Sequence, residues 1–263
     1  MTMDSGIWYI LVGAFGASIG SFITMLLYRM HTHTPFASDR SRCTGCGKTL
    51  HWFELIPIIS FLFLKWRCRK CKKKIPIRYL VIEVMTTILY LYTWYNFVNT
   101  DNQSVLLLIR DWIVIFVAVF TFFYDFLYLE VSLPITIGGG IAAATLYIAY
   151  DMYEWQSIAA GIVLGVGWFG LQYVVSRGRW IGGGDIMIGF FIGATLGLGK
   201  TILALGCAYV LGGSYGLMLL VTKKKARKDQ IAFGTFLAAS TLAALWWGND
   251  ILLWYTRILG LKI

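Results

Sequence analysis

The chain has 263 residues, 58% of them hydrophobic and only 14% charged, with a mean hydropathy of +0.70 and a formal net charge of +10. That balance excludes an ordinary soluble domain: several windows reach the roughly 20 apolar residues that cross a bilayer. The surplus of Lys and Arg does not by itself indicate a nucleic-acid partner, because its placement follows membrane topology, as set out below.

In chain order the apolar windows predict eight transmembrane spans, at about 7–28, 79–98, 105–124, 133–150, 157–175, 186–199, 202–222 and 232–248. Residues 249–263 are amphipathic and read either as an interfacial helix or as the end of the last span. Asp4 is the only charge before the first span, and no small-residue cleavage site follows a short apolar core. The first span therefore reads as a retained helix, not a signal peptide. The expected architecture is an all-α polytopic membrane protein with one polar loop domain between helices 1 and 2. Its parts are a first helix at 1–29, a cysteine-containing domain at 30–78 and a multi-helix membrane domain at 79–263.

Twelve Lys and Arg fall in 29–78, two more are Arg177 and Arg179, and five lie in 223–228. Alternating spans put all three regions on one side. The excess of cations in short loops marks that side as cytoplasmic and puts the N-terminus outside. Topology and contact with anionic lipid headgroups account for the basic runs without nucleic acid.

The polar loop carries Cys43-Thr44-Gly45-Cys46 and Cys68-Arg69-Lys70-Cys71. Two such pairs supply the four thiolates of a closed tetrahedral zinc site. Two disulfides are the alternative, disfavoured in a cytoplasmic loop. With four sulfur ligands no position remains for a reactive water, so the zinc would be structural. His51 is a further candidate ligand. Cys207, alone in an apolar span, reads as a packing residue.

Few acids lie at span edges. Asp125 closes the third span in Phe123-Tyr124-Asp125-Phe126, and Asp185 opens the sixth after Gly182-Gly183-Gly184. The third span runs inward and the sixth outward, so both carboxylates sit near the cytoplasmic face. If the helices are neighbours, the carboxylates form a pair of which one keeps its proton, the arrangement of aspartyl proteases. Otherwise they cap helix ends or pair with Arg179. The three glycines read as a flexible loop end or as a path for substrate to Asp185. Glycines four residues apart, at Gly16/Gly20, Gly161/Gly165, Gly189/Gly193/Gly197 and Gly212/Gly216, predict close helix packing.

Several segments, in order, resemble the type IV prepilin peptidases. These are Gly20-Ser21-Phe22 with Arg29, the two cysteine pairs, "ELIPIISFL" from Glu54, "IRYLVIE" ending at Glu83, "YDFLYLEV" around Asp125, "GGGD" ending at Asp185, and "IAFGTF" from Ile231. The resemblance implies a membrane aspartyl endopeptidase with Asp125 and Asp185 as the catalytic pair. It implies removal of the short basic leader of type IV prepilins or pseudopilins at the cytoplasmic face of the bacterial inner membrane. It also implies N-methylation of the new terminus from S-adenosylmethionine. Glu54 and Glu83, acids near the cysteine pairs, read either as contributors to that activity or as partners of neighbouring Arg and Lys. The chain departs from the family pattern at Met187, where a cation is usual, at Thr24 and Ser132, and at Ala232 and Thr235, which replace two prolines. Other readings are an intramembrane protease of another GxGD type, which leaves the cysteine loop unexplained, and a non-enzymatic scaffold whose zinc ribbon binds a partner.

Overall fold

The computed structural model describes residues 6–35, 40–100, 103–222 and 231–258. The basic run at 223–228 lies outside the described residues. The helices are α1 (Gly6–His31), α2 (Ile59–Phe63), α3 (Ile77–Asn99), α4 (Val105–Tyr128), α5 (Leu133–Tyr150), α6 (Trp155–Ser176), α7 (Gly183–Val221) and α8 (Phe233–Ile258). Among the described residues there are no strands, only isolated bridges in the loop before α3. The chain divides into two compact units, Met1–Gln103 and Ser104–Ile263. Among the described residues, six helices are long and apolar enough to cross a membrane: α1, α4, α5, α6, α7 and α8. The expectation of an all-α, multi-pass membrane protein holds. The predicted span at 79–98 is a helix, α3, but not one of those six.

The first unit is built on an antiparallel helix pair. A Cβ on Gly20 would lie 2.6 Å from the Glu83 Cα, and one on Gly16 would lie 3.1 Å from the Thr87 Cα. The bare backbone of α1 therefore rests directly on α3. In lipid no hydrophobic force draws helices together, so such close approach and its dispersion contacts hold the pair.

The second unit packs α4 to α8 around a core that includes Val114, Val117, Phe169, Ile188, Ile192 and Leu237. The two spans expected at 186–199 and 202–222 form one helical run, but not a straight one. Gly189 faces Gly165 of α6. Twenty residues later, the Tyr209 hydroxyl accepts from Trp168 Nε1 at 3.0 Å and from Gln172 Nε2 at 2.8 Å. A straight helix would separate residues 189 and 209 by about 30 Å. α7 therefore folds back on itself, and its two limbs pass the same stretch of α6.

The reversal is at Gly197, with φ 69° and ψ −179°, a backbone state open essentially to glycine alone. Ser157 Oγ accepts from the Leu198 N–H at 3.2 Å, and Thr201 Oγ1 donates to the Gly197 carbonyl at 2.6 Å. These bonds satisfy backbone groups that the turn removes from the helix ladder. Gly161 and Gly165 lie against the backbone of Gly193 and Gly189, so the four-residue glycine pattern is a contact between bare backbones.

The second limb then brings Gly212 against Phe233 and Phe236, and Gly199 against Leu252. α8 thus runs antiparallel to that limb and returns its N-terminus to the end of the unit where α7 began. Gly197→Ala puts a Cβ 2.6 Å from Ser157 Oγ on a backbone that L-residues avoid. It should cost roughly 1–3 kcal/mol, measured as a lower unfolding temperature in detergent, while Gly206→Ala, in open space, should leave that temperature unchanged.

Candidate active site

Asp125 lies in the last turn of α4 and is buried. Leu129 closes that helix in the left-handed region, its N–H donating to the Asp125 carbonyl at 2.9 Å. A carboxylate in a last helical turn faces the negative end of its own helix dipole. It needs donors from elsewhere, and α8 supplies them. The Thr235 N–H donates to Asp125 Oδ2 at 3.0 Å, and the Gly234 N–H is also directed at the carboxyl group. A Cβ on Gly234 would lie 2.9 Å from Asp125 Oδ2, so glycine at this position leaves the space the carboxylate fills.

Asp185 stands in the first turn of α7, where the dipole favours it. Its Oδ2 accepts from the Gly182 N–H at 3.2 Å, the back-bond of a capping box. The Asp125 charge acts directly on the Asp185 carboxyl group. The structure therefore brings together the two acids that sequence and topology placed at one depth. It also divides the preceding glycines. Nothing lies within 4 Å of a Cβ on Gly183, and on Gly182 only the Gly184 amide comes near, at 3.9 Å. A Cβ on Gly184 would lie 2.6 Å from Val131 Cγ2, so this glycine lets the segment after Asp125 seat on α7. Met187, two residues after Asp185 in α7, is half-buried.

The first unit contains a second constellation. All four Sγ atoms of Cys43, Cys46, Cys68 and Cys71 lie within 4.8 Å of one another, and Cys43 Sγ is 3.8 Å from Cys71 Sγ. Four thiolates around a tetrahedral ion with bonds of ~2.3 Å lie about 3.8 Å apart, so the cluster is able to hold a metal ion. The two halves are built alike. Cys43 N donates to Lys48 O and Cys68 N to Lys73 O, both at 2.9 Å. The bridges Arg42–Thr49 and Arg67–Lys74 close the two turns. Gly47 and Lys72, each four residues after the first cysteine of its pair, take φ of 67° and 59°.

The amides of Cys71 and Lys70 draw the Cys68 thiol down to about 6. The Lys73 amide also lowers Cys71, but burial and hydrogen bonds among the cysteines outweigh it and raise that thiol to about 11. Sulfurs this close do not all ionise unless a cation balances them. His51 lies outside the cluster and starts the short turn Trp52–Leu55.

Glu54 and Glu83 both line a cavity of about 340 Å³ in this unit, together with Tyr28, Arg42 and Tyr79. Glu54 is held structurally. Its Oε1 is 3.1 Å from Lys48 Nζ, and its Oε2 accepts from the His51 N–H at 2.9 Å. Burial pushes its carboxyl group up, but the His51 amide and the Lys48 ammonium outweigh that and hold it below the ordinary carboxylate range. Glu83 Oε2 accepts from the Ile58 N–H at 2.7 Å, and Ser21 donates to the same carboxylate. Ile58 has φ 63° and ψ −54°, with the Ile59 N–H returning to the Pro57 carbonyl. That is a γ-turn strained for a β-branched residue, and Glu83 secures it. The segments around Ser21, Glu54–Ile58 and Glu83, distant in sequence, thus meet at one cavity wall.

Sequence reasoning did not single out Val131, Gly234 or Thr235 as parts of the Asp125–Asp185 site. Gly234 and Thr235 act through backbone, which residue type does not reveal, and Val131 acts by fit alone.

Fold and site together define a polytopic membrane protein with a pair of acids between its helices and a four-cysteine loop. Residues 14–97 match the family model for the bacterial peptidase A24 N-terminal domain. The chain is 27% identical to a prepilin leader peptidase/N-methyltransferase of Legionella pneumophila over 94% of each chain. It is 28% identical to one of Bacillus subtilis (strain 168), covering 93% of this chain and 96% of that one. A third, of Aeromonas salmonicida (strain A449), is 25% identical over 95% of this chain and 94% of its own length. No solved structure matches the chain. Along nearly its whole length the chain is thus similar to prepilin leader peptidase/N-methyltransferases.

Two outcomes follow for the loop. Cys68→Ser should retain a small fraction of the metal held by the purified wild-type protein, by elemental analysis, and unfold at lower temperature. The Lys48–Glu54 contribution is present above the unfolded-state carboxyl pKa and is lost as pH falls through the lowered folded value. Unfolding temperature should therefore drop on acidification in that range, and less so in Glu54→Gln.

Proposed function

We propose that the chain is a membrane-embedded aspartyl endopeptidase that removes the short basic leader from type IV prepilins or pseudopilins and then N-methylates the new terminus. It acts in the bacterial inner membrane, with the cysteine loop and both acids on the cytoplasmic side. The observation that carries the reading is the juxtaposition of Asp125 and Asp185, each held by amides at a helix N-terminus, in a chain related along its length to prepilin leader peptidases.

Two adjacent carboxyl groups share one proton more readily than they carry two charges. In the proposed reaction a water lies between them. The ionised member takes a proton from that water as its oxygen attacks the scissile carbonyl carbon. The protonated member donates to the carbonyl oxygen, which would otherwise develop full negative charge. Collapse of the tetrahedral intermediate breaks the C–N bond and returns a proton to the leaving amine. The leader departs with a new carboxylate, and the pilin keeps a free N-terminal amine. The open surface at Gly182 and Gly183 admits extended backbone beside Asp185, and Gly184 serves packing.

Zinc suits the four-cysteine cluster as a structural ion: the donors are all sulfur, the spacing is tetrahedral and no ligand position is left open. It would cross-link the two cysteine turns of the loop. S-adenosylmethionine, which would supply an electrophilic methyl group, fits the chemistry of the cavity walls. Tyr28 and Tyr79 offer aromatic faces, Arg42 a partner for a carboxylate, and Glu83 an acceptor for an amine or ribose hydroxyl. Glu54 contributes by fixing the loop through Lys48. In this reading membrane lipids are the remaining partners, and nucleic acid has no part.

Asp125→Asn and Asp185→Asn should each abolish cleavage of a prepilin by the purified protein while its amount and unfolding temperature stay unchanged. Cleavage at the wild-type rate by either variant would overturn the reading. Glu83→Gln should lower methylation of the mature N-terminus, seen by mass spectrometry, and spare cleavage.

A further inference from the structure

The loop between α1 and α3 carries an apolar face that no other described part of the first unit covers. α2 spans Ile59–Phe63. Its Phe61 is buried, whereas Ile59, Leu62 and Phe63 are 50%, 58% and 84% exposed. Those three stand at i, i+3 and i+4, so they share one face of the helix. Lys65, Trp66 and Arg67 follow at once, all exposed.

The contacts of Glu83 fix the depth of this face. Its carboxylate accepts from Ser21 of α1 and, at 2.7 Å, from the Ile58 N–H, so Ile58 stands level with Ser21. The first charge in α1 is Arg29, eight residues beyond Ser21, a rise of about 12 Å. A headgroup layer is only about 6 Å thick. Even with Arg29 at the outer surface of that layer, Ile58 reaches the hydrocarbon, and α2 begins at the next residue. The chain is back out by Trp66, whose carbonyl accepts from the Ile75 N–H at 2.8 Å, two residues before α3.

The backbone of this segment suits such a place. In hydrocarbon an amide without a partner is costly. The N–H groups of Ser60, Leu62, Leu64 and Trp66 donate to the carbonyls of Ile56, Ile58, Ser60 and Phe61 at 2.9 to 3.2 Å. The Ile58 amide, which the turn before α2 would otherwise strand, goes to Glu83.

We infer that residues 58–66 form a re-entrant hairpin that inserts Ile59, Leu62 and Phe63 into the leaflet on the side of the cysteine loop, and that lipid is what covers this face. Acyl chains meet the apolar residues, and anionic headgroups meet Lys65 and Arg67. An apolar face followed by Trp and cations repeats the order of the layers themselves, from hydrocarbon to interface to phosphate. Glu83 is the tie that holds the hairpin at depth. The other side of α2 supplies Ser60 and Phe61 to the cavity wall, so α2 separates that cavity from lipid. The inference is independent of the protease reading and rests only on α1 as a membrane helix.

The test uses the purified full chain in nanodiscs of mixed zwitterionic and anionic phospholipid. The photo-crosslinking residue p-benzoylphenylalanine is incorporated in place of Phe63 and, separately, in place of Thr44, which is exposed on the first cysteine turn. Irradiation should give phospholipid adducts at residue 63, found by mass spectrometry, and few at residue 44. Adducts at residue 63 confined to protein, whether a second copy or this chain's own helices, overturn the inference. So does the absence of any adduct there. Equal lipid adducts at both positions also overturn it, because the loop would then only lie on the surface.

Stability in the same nanodiscs is an independent arm. Phe63→Asp should lower the unfolding temperature by a few degrees, since a carboxylate is costly in lipid, and Phe63→Leu should leave it unchanged. An exposed position in water would tolerate both, so wild-type stability in Phe63→Asp overturns the inference. If Phe63→Asp does not fold, the crosslinking decides.

Discussion

The contact between the start of α8 and the Asp125 carboxylate governs the arrangement of the second unit. A buried acid at the C-terminal turn of a membrane helix is unfavourable there on two counts, burial and dipole. It persists because another helix presents unpaired amides to it at 3.0 Å. For those amides to arrive, the chain must cross and return twice between residues 125 and 235, through α5, α6 and the two limbs of α7. The reversal at Gly197 achieves this: it turns α7 back on itself and delivers α8 antiparallel, with its N-terminus at the end of the unit where Asp185 begins α7.

Glycine has different jobs at different places in this fold. At Gly197 it permits a backbone state closed to other residues. At Gly16, Gly20, Gly161, Gly165, Gly189 and Gly193 it lets helix backbones touch, the main means of cohesion where lipid and side chain are equally apolar. At Gly234 it leaves room for a carboxylate. At Gly182 and Gly183 it leaves space open. The run Gly182–Gly184 looks uniform in sequence, yet the third glycine is a packing residue against Val131 and the first two are not.

The first unit solves a different problem. Its loop relies on two matched turns that bring four sulfurs together and on carboxylates that secure backbone amides. Glu54 and Glu83 illustrate how acids near a cavity divide. One is saturated by Lys48 and the His51 amide, and the other steadies a strained turn at Ile58 while lining the cavity.

Much of this was legible in the sequence. Hydropathy identified the six helices long and apolar enough to cross a bilayer, because a bilayer requires long apolar runs, but it also marked α3 as a span and read α7 as two. The cysteine spacing foretold the cluster, because a tetrahedral ion needs four soft donors in two tight turns. Alternation of spans put Asp125 and Asp185 at one level, because each helix crosses the same thickness. Tertiary structure alone decided that the helices bearing them are neighbours, that one helical run supplies two limbs, and that Thr235 serves Asp125. Those facts depend on backbone amides, on the absence of side chains and on contacts across a hundred residues. No local pattern of residue types encodes them, since every residue but proline carries the same N–H.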